Sequence, residues 1–286
     1  MDHSLAYHLE EGDGTVLSLQ FANPDKEIVE QQLRDLRQNL SPAVQDFYAE
    51  ITTDTFDQDV HALYTAEVYP REFVGYEAIT GDGNEILRDT IIDAFQEIEA
   101  ECRAAGNPLR WYKQPELDMI VETINQTEWQ QPIPDVAGCL LSNLITAHGL
   151  PNANHRTALS FVQVYLRSYA PKFVIPETGI TGEWYDWAEA FVRESKRLLT
   201  LSRKCHLFRY LRHWGCDGVV RKDEATLRFE NYALDAENPL AHFRQQHREL
   251  SMEFVYEILE RTEENALIAR EDQGRSVFID RLTASQ

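Results

Sequence analysis

The stretch DVAGCLLSNLITAHGLPNANHRTAL, from Asp135 to Leu159, predicts two packed helices joined by a short polar loop. Val136, Leu140 and Leu144 recur every four residues, which is the spacing of an apolar helix face. A second stripe with i, i+3, i+4, i+7 spacing follows the loop, at Ala158, Phe161, Val162 and Tyr165. The segment between the stripes, HGLPNANHR (148–156), is unusually dense in polar side chains, which indicates a site.

Helical spacing also dominates on both sides of this stretch. Apolar positions predict helices over residues 84–104 and 116–127, around Trp184, Trp187, Ala188 and Phe191, and over residues 240–258. Two weaker helical patterns, residues 22–40 and 41–51, lie among turn-rich pieces in the first 83 residues, where no topology can be derived. Clean alternating strands are scarce. The sequence therefore predicts a mainly α protein with at most one or two short hairpins.

Composition limits the class of protein. The 286 residues carry a formal charge of −21, and six of the 27 basic residues are lysine while 21 are arginine. An acidic, lysine-poor surface disfavours general nucleic-acid binding and is consistent with a salt-rich, halophilic cytoplasm. The four cysteines are scattered, and there is neither an apolar leader nor an apolar run near 18 residues. We therefore expect reduced thiols, no membrane span and a cytoplasmic location.

The polar loop has the residue types of a phosphate site with a base. Asn152 after Pro151 is a favoured helix cap, and the first amides of the helix that follows would attract an anion. Arg156, one turn into that helix, adds a guanidinium suited to a bidentate contact with phosphate. His148 ends the preceding helix, and its imidazole can accept a proton near neutral pH. These residues together indicate group transfer from a nucleotide.

At these positions the sequence resembles the Fic/Doc superfamily. The signature of that superfamily has its counterparts at His148, Leu150, Asn152, Ala153, Asn154 and Arg156. The continuation ANHRTAL is more similar to the Doc branch, since the Fic branch carries a second arginine where this chain has Leu159. The resemblance implies a Fic/Doc-type helical bundle, flanked by additional N- and C-terminal segments. The expected division is an extension over 1–83, a catalytic core over 84–200 and a helical extension with a basic segment over 201–286.

The resemblance also implies roles for the loop residues. His148 would deprotonate a Ser, Thr or Tyr hydroxyl of a target protein, and Arg156 would hold phosphate oxygens of ATP. Asn154 and the Ala153 amide would contribute to an anion hole, and His155 could contact a phosphate as an occasional cation. Asn152 stands where the family keeps a carboxylate for Mg²⁺, so metal binding is expected to be weak. The missing second arginine favours transfer of phosphate over transfer of AMP.

Two further expectations come from the family. A flap ahead of the signature docks the target as an added strand, and the candidate here is Leu109, Arg110, Trp111 and Tyr112. Members often act as growth-arresting toxins, which implies an antitoxin as a second partner. An autoinhibitory pattern also matches TLRFEN (226–231), but the arginine that Glu230 would engage is missing at Leu159.

Less specific interpretations remain open beside these. The cluster could be a capped helix hairpin, and CHLFRYLRHWGC (205–216) lacks the paired spacing of a zinc site, so buried thiols and surface histidines are favoured there. Residues 193–228 hold ten Lys or Arg against four acids, or +6. This basic segment could bind nucleic acid or could simply pair with acidic groups of the fold. The alternative function is therefore a non-catalytic binding or regulatory protein that keeps the Fic fold.

Overall fold

The protein is mixed α/β. The computed structural model describes residues 3–12, 14–71, 83–178, 185–221 and 226–285. Of the described residues, 54% are helical and 16% lie in strands, and the strands form two sheets. The prediction of a mainly α protein, organised as a helical bundle with at most short hairpins, is therefore wrong. The prediction missed the two sheets, because the apolar spacing in the rest of the chain is helical and carries no information about the strands.

The chain divides into two compact units, each assembled from separated stretches. The first unit combines the described residues up to 71 with residues 111–113 and 200–243, and the second contains the remaining described residues. The division into segments 1–83, 84–200 and 201–286 stays a prediction. No helix in the described ranges is both long enough and apolar enough to cross a lipid bilayer.

The first unit contains both sheets. A three-stranded sheet has the order β1-β6-β7, with β1 parallel to β6 and β6 antiparallel to β7. Its strands are β1 (Ser4–Ala6), β6 (Gly218–Val220) and β7 (Thr226–Arg228). An antiparallel sheet with the order β2-β3-β5-β4 curls into a half-barrel. Its strands are β2 (His8–Glu10), β3 (Val16–Asn23), β4 (Asp46–Thr55) and β5 (Asp59–Val68).

The hairpin of β4 and β5 explains the error in fold class. Its register runs without interruption from the pair Asp46 and Val68 to the pair Thr55 and Asp59. Both strands are rich in β-branched and aromatic residues, which favour the pleated backbone. Strand β5 lies between β3 and β4, and its middle residues are buried nearly continuously, without the alternation of a strand that has one face in solvent. The helical pattern predicted over residues 41–51 is therefore wrong, since most of it belongs to β4.

The helix predicted within residues 22–40 is confirmed as α1 (Lys26–Gln38). Asp25 caps it, because the Asp25 carboxylate accepts a hydrogen bond from the Glu27 amide at 2.9 Å. Val29 is fully buried where α1 packs on β3 and β5. A short 3₁₀ helix, Phe229–Asn231, follows β7 in the same unit.

Helices make up the second unit. They include α2 (Asn84–Ala104), α3 (Leu117–Asn125), α4 (Ile133–Ala147), α5 (Asn154–Arg167), α8 (Asn265–Ile268) and α9 (Arg275–Ser285). The unit also holds the first half of α6 (Asp186–His213) and most of α7 (Pro239–Arg261). Helix α5 packs against α2 and α4, and α3 contacts both α2 and α4. The helices predicted from the apolar stripes are confirmed, and α2 has the predicted bounds.

Asp272 ties the C-terminal segment of the second unit to α5. Its buried carboxylate accepts hydrogen bonds from the hydroxyls of Tyr165 at 2.8 Å and Tyr169 at 2.6 Å. The same carboxylate accepts main-chain bonds from Gln130 at 3.1 Å and Gly274 at 2.7 Å. Four donors therefore compensate one buried charge, which explains how a carboxylate can lie among aromatic rings.

Candidate functional site

The predicted loop connects α4 to α5 and contains two residues with left-handed backbone. Helix α4 ends at Ala147, and His148 follows with φ 53° and ψ 42°. Ala153 has φ 52° and ψ 23° and directly precedes α5, which begins at Asn154. The predicted cap at Asn152 is therefore displaced by one residue, and Ala153 offers no side-chain cap. Left-handed backbone at two non-glycine residues is costly, and such strain is found preferentially at functional sites.

The loop between these residues is fixed by close packing. The Glu116 amide donates a hydrogen bond to the Gly149 carbonyl at 2.8 Å. A Cβ atom on Gly149 would lie 2.9 Å from the Ile120 side chain and 3.2 Å from the Glu116 carbonyl, so glycine is needed there. Leu150 is 4% exposed and anchors the loop in the core.

The two asparagines of the loop use their side chains on the main chain. Asn154 is buried, and its amide accepts from the Leu150 N–H at 3.1 Å and donates to the Leu150 carbonyl at 3.0 Å. Asn152 donates to the Arg110 carbonyl at 2.8 Å and accepts from the Ala153 N–H at 2.8 Å. Both side chains therefore hold the shape of the loop, and neither directs its amide toward a ligand.

His155 and Arg156 extend from the first turn of α5 toward other helices. Nε2 of His155 lies 2.8 Å from Oγ of Ser195 on α6. A guanidinium nitrogen of Arg156 lies 3.8 Å from the Cys102 sulfur on α2. His148 and Arg156 are both half-buried. The structure thus brings His148, the two asparagines and Ala153 together in one loop, while the side chains of His155 and Arg156 contact α6 and α2.

The residues of the loop do not fit a protein-held Mg²⁺. Both polar atoms of the Asn152 amide are already hydrogen-bonded within the second unit, and no carboxylate stands at this signature position. Among the described residues, no group of three or more His, Cys, Asp or Glu side chains could hold a metal ion. An uncharged amide whose oxygen already accepts a hydrogen bond is a poor ligand for a hard cation.

A cavity under the loop is too small for a nucleotide. It has a volume of about 10 Å³, which is room for about one water molecule. Its walls come from α2, α3, α4, the loop and α5, with Asn154 and Thr157 among mainly apolar residues. This cavity therefore cannot hold a nucleotide.

The predicted flap is not a strand in the described structure. Residues 107–111 have no regular secondary structure, and Trp111 is 2% exposed. The Arg110 carbonyl accepts from Asn152, and the Trp111 carbonyl accepts from the Tyr69 amide at 2.9 Å. Leu109 and Tyr112 are half-buried. The carbonyls of Arg110 and Trp111, which an added strand would need as hydrogen-bond acceptors, are thus already hydrogen-bonded within their own units.

Several arginines of the basic segment have partners within the fold. Arg193 pairs with Glu189 at 2.6 Å, and Arg197 pairs with Glu194 at 3.0 Å. Two more arginines bind the segment that follows the 3₁₀ helix: Arg209 donates to the carbonyls of Leu234 and Ala236, and Arg212 pairs with Asp235 at 2.7 Å. Residues 222–225 of the segment and Trp184 lie outside the described residues. The described charges thus favour a structural role over an open nucleic-acid surface.

The remaining sequence signals are resolved as packing features. Cys205 and Cys216 are buried, and burial raises the pKa of the Cys216 thiol to about 11, whereas His206 and His213 are exposed. The expectation of buried thiols and surface histidines is confirmed. Cys139 is also buried, whereas Cys102 is half-buried. Glu230 is exposed in the first unit.

Sequence reasoning missed a buried polar group next to the loop. Oγ of Ser195 lies 2.7 Å from Nε2 of His247 on α7, and Nδ1 of His247 lies 2.8 Å from Oγ of Ser142 on α4. Burial lowers the pKa of His247 to about 4. Ser142 interrupts an otherwise apolar face of α4, and this was the one signal in the sequence that could have indicated a buried polar partner.

A family model matches residues 1–286, and its description is "Family of unknown function (DUF8172)". The match covers the whole chain, so the protein belongs to this family. None of the curated proteins and none of the solved structures matches the chain.

Proposed function

We propose that this chain is a Fic/Doc-type transferase that moves a phosphate or AMP from ATP to a hydroxyl side chain of a target protein. The proposal depends on one observation. Helix α4 is followed directly by His148 with left-handed backbone, and α5 begins six residues later behind Ala153, without a side-chain cap. A base and the positive end of a helix dipole thus flank one short loop.

The chemistry follows from these two groups. In the favoured reaction, the target hydroxyl oxygen bonds to the γ-phosphorus of ATP and the bond from that phosphorus to its bridging oxygen breaks. ADP leaves, and the His148 imidazole takes the hydroxyl proton, a role that typically contributes about 10² to 10⁴ in rate. The first turn of α5 would stabilise the charge on the phosphate oxygens, with Arg156 beside it.

Phosphate transfer is favoured over AMP transfer because of Leu159. This residue stands where the AMP-transferring branch has its second arginine, and it is 5% exposed. A buried leucine supplies no contact for a phosphate. Mg²⁺ would enter bound to ATP, since the loop offers no ligand set of its own. The target is a protein with a Ser, Thr or Tyr hydroxyl, an antitoxin would be a second partner, and we assign the reaction to a salt-rich cytoplasm.

A second candidate function is supported by a different observation. The side-chain amides of Asn152 and Asn154 are both used within the second unit, so the loop contributes fewer ligand contacts than its sequence suggests. A protein that keeps the helical junction but not the reaction would then act in binding or regulation. Contact with nucleic acid through residues 193–228 is less favoured, since the arginines paired above are used by the fold.

The test separates these functions by following two labels. The protein is incubated with cell lysate and ATP labelled on the γ-phosphate or, separately, on the α-phosphate, with Mg²⁺ or Mn²⁺ at high salt. We expect γ-label on a target protein, at least about 100-fold less label with His148→Ala, and unchanged labelling with His206→Ala, an exposed control on α6. Transfer of α-label would show AMP transfer instead.

The negative outcomes also discriminate. If neither label is transferred, or if His148→Ala labels as well as the original protein, the transferase proposal fails. Nucleic-acid binding is then measured by gel shift at increasing salt. A salt-sensitive shift that is lost with Arg209→Ala and Arg212→Ala would support the binding function, provided that circular dichroism shows both variants to be folded.

A further inference from the structure

A continuous line of hydrogen-bonding groups connects α4, α7 and α6 to the first turn of α5. Ser142 Oγ lies 2.8 Å from Nδ1 of His247, and Nε2 of His247 lies 2.7 Å from Oγ of Ser195. Ser195 Oγ in turn lies 2.8 Å from Nε2 of His155. All four residues belong to the second unit. The line therefore ends at a loop-side residue of the candidate site.

The interior of this line is closed to solvent. Ser195 and His247 are 0% exposed and Ser142 is 2% exposed. Burial lowers the pKa of His247 to about 4, so its imidazole is neutral near pH 7 and has one nitrogen that donates and one that accepts. A neutral imidazole between two hydroxyl groups donates one hydrogen bond and accepts the other. The direction of the hydrogen bond on one side of the ring therefore fixes the direction on the other side.

The direction is set by Ser142. Within the described residues, the only hydrogen bond of its hydroxyl is with Nδ1 of His247, so its proton has an acceptor only if Nδ1 accepts. His247 then carries its proton on Nε2 and donates to Ser195, and the Ser195 hydroxyl donates to Nε2 of His155. In this order the protons of Ser142, His247 and Ser195 each have an acceptor.

The reverse order is disfavoured. If His247 donated from Nδ1, the hydroxyl proton of Ser142 would be buried without an acceptor, which is penalised inside a protein. Ser251 does not change this result. Its hydroxyl donates to the His247 carbonyl at 2.8 Å and lies 3.4 Å from Nδ1, so it has no proton to offer that nitrogen.

We propose that Ser142, His247 and Ser195 are positioning residues that hold His155 as a neutral imidazole with its proton on Nδ1. If His155 carried a proton on Nε2, this N–H would face the Ser195 hydroxyl proton. Ser195 would then have to stop donating its hydrogen bond to His155. On the proposed function, on which this part of the inference rests, His155 serves the phosphate site as a neutral N–H donor. It does not serve as the occasional cation that the sequence suggested.

The proton order is measured directly by NMR. The protein is labelled with ¹⁵N-histidine, and long-range ¹H–¹⁵N correlation spectra at about pH 7.5 show which nitrogen of each ring is protonated. Spectra of His155→Gln and His247→Gln assign the two rings. We expect His155 protonated on Nδ1 and His247 protonated on Nε2. Wild-type spectra that show His155 as the Nε2–H form, or as imidazolium, would overturn the inference.

Variants test the cause of the order. Ser195→Ala should let the His155 proton distribute over both nitrogens, Ser195→Thr should restore the single form, and Ser160→Ala on α5 should change nothing. A His155 ring that is indifferent to Ser195→Ala in a folded protein contradicts the positioning role. Should that variant not fold, the wild-type spectrum alone still decides.

A last spectrum separates this inference from the proposed function. The proton order is measured without nucleotide, so its outcome does not depend on whether transfer occurs. Addition of MgATP should shift the His155 Nδ1 signal and leave that of His247 in place. An unshifted Nδ1 signal would remove the role of His155 at a phosphate and would leave the proton order intact.

Discussion

Protonation of His247 should make the stability of the second unit depend on pH in a defined window. The ring is fully buried, and burial lowers its pKa from an ordinary 6.5 to about 4. Above pH 6.5 the folded and unfolded states both hold it neutral. As the pH falls from 6.5 to 4, the unfolded chain binds a proton at this residue and the folded chain does not. Stability contributed by neutral His247 is therefore lost over that window.

The size of the effect follows from the shift. Each pH unit within the window lowers the free energy of unfolding by about 1.4 kcal/mol, and the whole window costs about 3 kcal/mol. Below pH 4 both states carry the proton, so this contribution no longer changes. A loss of about 3 kcal/mol is a substantial fraction of the stability of an ordinary domain.

Urea unfolding at several pH values between 7.5 and 4 measures the effect, with amide hydrogen exchange of α7 peptides to follow the second unit. The variant is His247→Gln, which cannot titrate, and the control is His206→Gln on the exposed surface of α6. Carboxylates titrate alike in all three proteins, so the informative quantity is the difference in slope. We expect a flatter profile for His247→Gln alone. Parallel profiles for the wild type and His247→Gln would refute the assignment of a buried neutral ring.

Substitutions at four positions test the packing of the loop and of the second unit, each measured by urea unfolding. Ala153→Gly should stabilise the protein by up to about 1 kcal/mol, since glycine adopts φ 52° without strain. Ala153→Val should destabilise the protein, and equal stabilities of the two variants would contradict a left-handed Ala153. Asn154→Asp should lower the free energy of unfolding by about 2–4 kcal/mol, because an oxygen would replace the amide donor that now faces the Leu150 carbonyl at 3.0 Å. An unchanged free energy of unfolding would show that the side chain is not turned inward. Asp272→Ala should lower the free energy of unfolding by about 3–5 kcal/mol, because it leaves four hydrogen-bond donors unpaired, and Asp272→Asn should have an intermediate effect. A loss below about 1 kcal/mol for Asp272→Ala would contradict these buried hydrogen bonds. Gly138→Ala should cost about 1–3 kcal/mol, since its Cβ would lie 2.6 Å from Cα of Met252, and an unchanged midpoint would show that α4 and α7 are not in close contact.

The helices could be predicted from the sequence because each carries its own pattern. The bounds of α2 follow from Leu87, Ile91 and Phe95, which are buried on one face as their spacing predicts. The hairpin of β4 and β5 could not be found in the same way. The central strand β5 is buried almost continuously, so it lacks the alternation that marks a strand with one wet face. Burial of both faces depends on elements packed on the sheet, such as α1, which the pattern of β5 itself does not reveal.

The sequence predicted the position of the loop between α4 and α5 but not the direction of its side chains. The loop falls where the two apolar stripes end, and that is a local property of the sequence. The partners of Asn152 and His155 are distant: Arg110 precedes Asn152 by 42 residues, and Ser195 follows His155 by 40. No periodicity connects positions so far apart, because their proximity is created by the packing of α5 against its neighbours. The signature therefore indicates which residues gather, and only the fold determines what each one contacts.

The inward direction of the two asparagines changes which group would carry the chemistry. A loop held at Leu150 by both polar atoms of Asn154, and at Arg110 by Asn152, cannot rearrange cheaply around a ligand. The left-handed backbone at His148 and Ala153 is strained, and the hydrogen bonds of Asn152 and Asn154 together with the close contact at Gly149 hold it in place. On the proposed function, ligand recognition would fall to main-chain groups of the first turn of α5, to His148 and to Arg156, and the rigid loop would set their positions before a nucleotide binds. Such preorganisation favours transition-state stabilisation over binding strength, because donors that are already fixed require no reorganisation as charge develops.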